Sequence, residues 1–188
     1  IRCEFDSLNI SSSSFGGPEM YITDCYGSIS QIYDWNQMIY YIDNFNGKVG
    51  RFHHQYAMYV NGGMITQLNV GQYISNHLST FFRNTTFIWS SSATISLVYG
   101  TQFANCTFYR GGATTVGDVM GCVFKDSPVG VSNGGSGAST HQILNNTFMD
   151  CTTAMQLGTS AQVFGNIGSD NSTWATGTPA DSSFNSWH

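Results

Sequence analysis

The sequence predicts an all-β chain wound as a right-handed parallel β-helix of about eight or nine coils, each of roughly twenty residues. Three observations predict it. A short phrase recurs as Asn84-Thr85-Thr86-Phe87, Asn105-Cys106-Thr107-Phe108, Gly121-Cys122-Val123-Phe124 and Asn145-Asn146-Thr147-Phe148, its Phe positions stepping by 21, 16 and 24 residues. Within each phrase the Phe and the residue two before it share one side and the residue between faces the other, which is the period of a strand. Glycine-rich turns such as Gly62-Gly63, Gly111-Gly112 and Gly134-Gly135 separate the strand-like runs, and no helical stripe interrupts them.

The rhythm extends in both directions. Upstream, Cys3-Glu4-Phe5, Asp24-Cys25-Tyr26 and Asn44-Phe45 continue it at steps of 21 and 19 residues. Downstream, Val163-Phe164-Gly165-Asn166-Ile167 supplies another coil. The expected organisation is a β-helix over 1–168 and a polar C-terminal tail or cap over 169–188. One coil has no partner for its inward face, whereas stacked coils share a continuous core. Equivalent residues then lie about 4.8 Å apart. Phe5, Phe45, Phe87, Phe108, Phe124 and Phe148 are expected to form an internal aromatic ladder. Cys106 and Cys122 fall one above the other, where packing is favoured over a bridge. With five cysteines and no C-x-x-C spacing, all five are expected to be free, buried and structural.

Composition narrows the class. Charged residues are only 9%, but aromatics are 14%, so the chain lacks the disorder signature and reads as short strands joined by polar turns. The net charge is −5, and the six basic residues Arg2, Lys48, Arg51, Arg83, Arg110 and Lys125 are scattered. A nucleic-acid surface requires clustered cations, so neither that partner nor an anionic membrane surface is expected. No apolar run has the length of a transmembrane helix, so membrane insertion is not expected. There is no phosphate-binding loop and no dinucleotide fingerprint, and no cofactor is expected. The chain opens on Ile1-Arg2-Cys3 with strand-like sequence and no amphipathic helix ahead of it, which suggests a piece of a longer protein or an assembly.

The run Asn146-Thr147-Phe148-Met149-Asp150-Cys151-Thr152-Thr153-Ala154-Met155-Gln156-Leu157 places Phe, one residue, Asp, a small residue and then an apolar strand; Lys125-Asp126-Ser127-Pro128-Val129-Gly130-Val131 repeats the pattern. Over residues 80–168 this resembles the repeat of the pectin-lyase-like parallel β-helix superfamily. That superfamily holds polysaccharide lyases, glycoside hydrolases, epimerases and trimeric bacteriophage tailspikes, so the resemblance implies a fold more than an activity. It also implies that asparagines such as Asn84, Asn105 and Asn145, three before the Phe, stack in an internal ladder. All three lie in N-x-S/T sequons, as do Asn9 and Asn171.

Three groups of residues are candidates for chemistry. Two positions after the Phe stand Arg110, Asp126 and Asp150 on successive coils; stacked carboxylates about 5 Å apart approach the spacing of a retaining glycosidase. The same position is a turn, where Asp is favoured for its left-handed backbone. In Arg51-Phe52-His53-His54-Gln55-Tyr56, alternation puts His53 on one face and His54 on the other, so no metal site is expected, while His53 and Tyr59 share a face suited to a sugar. Trp35 and Tyr40, from the stretch Tyr33-Asp34-Trp35 to Phe45, add flat apolar rings with polar handles.

The expected function is an extracellular or virion spike or fibre domain that binds host-surface glycans, as a homotrimer or part of a larger assembly. A polysaccharide-degrading glycoside hydrolase or lyase using Asp126 and Asp150 is the alternative, and a purely structural appendage protein is another. Asp126→Asn with Asp150→Asn abolishes reducing-end release by an enzyme and leaves a binder intact.

Overall fold

A computed structural model describes residues 3–12, 19–34, 38–50, 52–53, 57–67, 73–75, 79–97, 101–114, 117–133, 141–183 and 185–188; among them every regular element is a β-strand and every strand pairing is parallel. The chain is a parallel β-solenoid with three strands to a turn. One turn carries Val123–Lys125, Val129–Ser132 and His141–Leu144. These pair with Thr147–Met149, Thr153–Leu157 and Ala161–Phe164 of the next. The three walls are called first, second and third in that order. The solenoid has about seven turns, so the coil count differs slightly from the eight or nine expected. The stretch 169–188, expected as a tail or cap, continues the register: Thr173–Gly177, Asp181–Ser183 and Ser186–Trp187 pair with the turn before.

The core follows from the parity of each strand. On the first wall the ladder column runs Phe5, Gly27, Gly47, Ile65, Phe87, Phe108, Phe124, Phe148, Gly168, Trp187. Phe87, Phe108, Phe124 and Phe148 stack at centroid distances of 4.9, 4.5 and 5.0 Å. Where the column holds Gly168, the Trp174 indole fills the space: a Cβ on Gly168 would lie 2.1 Å from its ring. Trp174 meets Phe148 edge-on at 6.0 Å and stacks on Trp187 at 5.5 Å. The aromatic column thus survives a glycine by borrowing a ring from the next wall.

Phe45 corrects the expected ladder. The pairing Tyr26 with Asn46 sets Phe45 opposite Cys25 and Gly63, in the column two residues earlier that also holds Cys3, Thr85, Cys106, Cys122, Asn146, Asn166 and Asn185. Gly47 and Gly27 stand where ladder rings were expected, and the Phe45 ring stacks parallel to Phe5 at 6.2 Å across that gap.

Below Cys122 the second column becomes polar and closes on itself. The Cys122 N–H donates to Asn146 Oδ1 (2.8 Å), the Asn146 N–H and Nδ2 donate to Asn166 Oδ1 (2.9 and 3.0 Å), and the Asn166 N–H and Nδ2 donate to Asn185 Oδ1 (3.1 and 3.0 Å). These buried amides are affordable because every one is hydrogen-bonded. The internal asparagine ladder is therefore one residue beyond the predicted positions. Asn84, Asn105 and Asn145 are exposed and left-handed, with φ of 52°, 53° and 54°.

All five cysteines are free; Cys25, Cys106, Cys122 and Cys151 are buried as expected, but Cys3, on the first described strand, is exposed. Cys106 and Cys122 are adjacent and buried, and the hydrogen bond with Cys106, together with burial, holds the Cys122 thiol far above its ordinary range. Burial likewise pushes Cys151 up. The Cys122 and Cys151 sulfurs are buried packing groups, not thiolates.

Candidate glycan-facing surface

Two corner columns frame the first wall. Ahead of it stand Asp24, Asn44, Gly62, Asn84, Asn105, Gly121, Asn145 and Gly165, all at positive φ. Behind it stand Arg110, Asp126, Asp150 and Asp170, with φ of 63°, 53°, 53° and 55°. That conformation strains most L-residues; Gly adopts it freely because it has no Cβ, and the short polar side chains of Asn and Asp suit it. The sequence reasoning found Arg110, Asp126 and Asp150 on adjacent turns, and the structure places them so. It missed Asp170, which extends the row. All four are exposed, and the backbone N–H groups of the three aspartates continue the ladder to Met149, Ser169 and His188 carbonyls at 3.1, 3.1 and 3.2 Å. The corner geometry by itself accounts for aspartate in this column. Asp126→Ala is therefore expected to cost about 1–2 kcal/mol, whereas Asp126→Gly and Asp126→Asn stay within about 0.5 kcal/mol of the parent; urea midpoints measure this, and equal costs for Ala and Asn would contradict it.

The predicted glycan-facing residues separate. Trp35 lies outside the described residues. The Phe52–His53 strand pairs with Ile32–Tyr33 and Ile74–Ser75, which places His53 in the register column alternate to buried Ile32. Tyr40 was expected on a binding surface and is instead fully buried in the core, its hydroxyl reaching Met38 Sδ at 3.6 Å. The next residue, Tyr41, takes the outward place, because strand parity admits only one of the pair.

Tyr59 is 38% exposed and belongs to an outward column that sequence reasoning missed. On the third wall Tyr21, Tyr41, Tyr59 and Phe81 fall in register and stack at 4.8, 5.3 and 5.2 Å, with interplanar angles of 11°, 11° and 2°. The column then continues as Gln102, Asp118, Gln142, Gln162 and Asp181. It reads as four aromatic rings followed by a row of amides and carboxylates. The Tyr21 hydroxyl donates to Glu19, and that bond first, then desolvation, pushes its pKa to about 12. Desolvation and the Glu19 charge raise Tyr41 as well. These phenols remain protonated near neutrality and present a row of hydroxyls at the edges of stacked rings.

Around the corner, the first wall carries a groove of about 430 Å³ between two outward columns, Glu4-Tyr26-Asn46-Met64 on one side and Ser28-Lys48-Thr66 on the other, with Asp6 at its first turn. A second hollow of about 370 Å³ adjoins it over Asp24, Tyr26, Asn44 and Asn46, where Asn44 Nδ2 donates to Asp24 Oδ1 at 2.8 Å. Tyr26 is 51% exposed and borders both.

Among the described residues no group of His, Cys, Asp and Glu is arranged to hold a metal, and no helix is long and apolar enough to cross a membrane. Of the sequon asparagines, Asn84 Nδ2 donates to Asn61 Oδ1 at 2.9 Å, and Asn171 has both ends of its amide engaged, with Nδ2 donating to the Phe148 carbonyl at 3.1 Å and Oδ1 accepting from the Cys151 N–H at 2.9 Å. Fold and surface together define a class, the parallel β-solenoid with an aromatic outer stripe. Comparison with protein-family models, curated proteins and solved structures finds no match.

Proposed function

We propose that this chain is an extracellular or virion spike or fibre domain that binds host-surface glycans through the outer face of its N-terminal half, within a homotrimer or larger assembly. The observation that carries the reading is the outward stack Tyr21-Tyr41-Tyr59-Phe81, continued by glutamine and aspartate. Aromatic rings with polar handles contact the apolar and hydroxylated faces of sugars together, and tyrosine holds its geometry at low entropic cost. Low overall charge supports the same reading, because desolvating a surface of amides and phenols costs less than desolvating ions. The solenoid supplies rigidity: the Tyr41 and Tyr59 rings each lie between rings of the turns before and after, so little ordering remains to oppose binding.

Binding of the fluorescently labelled protein to cells of a susceptible host tests this. Mild periodate, which cleaves the vicinal diols of surface sugars, is expected to reduce binding at least about tenfold relative to mock-treated cells, and Tyr59→Ala to weaken it on untreated cells. Binding that survives periodate unchanged would sink the proposal. A native mass of three chains is the expected assembly.

A further inference from the structure

The groove on the first wall names a ligand class, on the footing of the glycan-binding reading above: we propose that it receives a linear, non-acidic polysaccharide lying along the solenoid axis with about one pyranose unit per turn. Two features of the groove carry this. The first is its repeat. Each wall offers one side chain per turn, Tyr26 then Asn46 on one side and Lys48 then Thr66 on the other, because they occupy successive levels of two outward columns. Levels of a stacked parallel sheet are about 4.8 Å apart, close to the length of one sugar unit in an extended glycan. A polymer along the axis therefore meets the same kind of contact at each unit, whereas one crossing the walls meets corners.

The second is its charge. Glu4 and Asp6 stand on the first turn of the groove and Asp24 borders the adjoining hollow, against Lys48 alone; Glu4, Asp6, Asp24 and Lys48 are all exposed. Asp24 already accepts from Asn44 Nδ2, while Glu4 and Asp6 outnumber Lys48 in the lining of the groove, so the groove carries an acidic excess. A uronate or sialate chain placed there brings like charges together, which suppresses binding. A neutral chain uses the same carboxylates as hydrogen-bond acceptors for its hydroxyls, with the Asn46 amide and the Lys48 ammonium as donors and the exposed Tyr26 ring as an apolar surface.

The test is calorimetric titration of the full chain with cellohexaose, maltohexaose and hexagalacturonate at equal ionic strength, for the parent, Tyr26→Ala and the double variant Glu4→Gln/Asp6→Asn. All substituted side chains point outward, and far-ultraviolet circular dichroism checks that the fold is kept. At least one neutral hexasaccharide is expected to bind about tenfold or more tighter than hexagalacturonate, Tyr26→Ala to weaken it about tenfold, and Glu4→Gln/Asp6→Asn to narrow the preference. Hexagalacturonate binding as tightly as the neutral sugars and lost in Tyr26→Ala overturns the non-acidic assignment while leaving the glycan-binding reading in place. Neutral-sugar binding indifferent to Tyr26→Ala overturns the groove as its location. No binding of any saccharide, together with periodate-insensitive attachment to cells, overturns both readings.

Discussion

Phe124→Ala is expected to destabilise the chain by about 3–5 kcal/mol, the cost of removing a fully buried aromatic ring and leaving a cavity. The position is chosen by its neighbours. Phe124 is fully buried and stacks on Phe108 at 4.5 Å and on Phe148 at 5.0 Å, so truncation strips contacts from the turns on both sides. A solenoid is stabilised by its own turns and by the interfaces between them, and Phe124 belongs to two interfaces at once. Phe5→Ala, by contrast, removes a half-buried ring whose stacked partner, Phe45, is 6.2 Å away, and is expected to cost clearly less. Lys125→Ala, the outward neighbour of Phe124, is expected to stay within about 0.5 kcal/mol of the parent. Chemical denaturation of the three variants measures this. A Phe124→Ala cost of about 1 kcal/mol or less would mean that the ladder is space-filling that its surroundings readily collapse to replace.

Why the ladder was legible, and its upstream part was not, has a physical reason. From Phe87 to Phe148 each turn uses the same residue at the same level, so counting residues recovers the stack. Upstream the core is kept by volume rather than by identity. Phe45 supplies its ring from the neighbouring column while Gly27 and Gly47 leave the space, and an aromatic rhythm alone is blind to that exchange. The same limit explains Tyr40, which was expected outside and packs inside: adjacent tyrosines look alike in sequence, and only the register with Met20 and Met58 fixes which one faces the core. The aromatic stripe did leave a signal, since Tyr21, Tyr41, Tyr59 and Phe81 step by 20, 18 and 22 residues. A spacing of about one turn fits an inward and an outward column equally, so the repeat alone does not place these rings on the surface. The groove had no such signal, because Glu4, Tyr26, Asn46 and Lys48 are unlike residues whose only relation is their level in the stack. The paired aspartates were read correctly as neighbours, and the positive φ at each supplies the local reason they are aspartates.

Asn166→Leu is expected to be as damaging as the loss of an aromatic ring, although it enlarges the apolar core. Asn166 is fully buried and sits at the centre of the polar column. Its Oδ1 accepts from the Asn146 N–H and Nδ2, and its Nδ2 donates to the Ile143 carbonyl at 2.8 Å as well as to Asn185. Leucine leaves those groups buried and unpaired, at about 1–3 kcal/mol each, so a total of about 3 kcal/mol or more is expected. Asn166→Asp separates hydrogen bonding from shape. A protonated carboxyl retains an acceptor for Asn146 and a donor for Ile143, whereas the carboxylate brings an unpaired charge into the core. Burial therefore raises the folded-state pKa of that aspartate above its unfolded value. The unfolded chain then releases its proton first as pH rises. The variant is expected to approach parent stability below the unfolded pKa and to lose it progressively as pH rises through the folded one. Urea midpoints from about pH 3, below the ordinary aspartate range, to pH 8, with the parent measured alongside, report the difference. A deficit in Asn166→Asp that does not change with pH would show that the column tolerates the charge, and that the ladder of amides contributes shape to the stack without the hydrogen bonding assigned to it here.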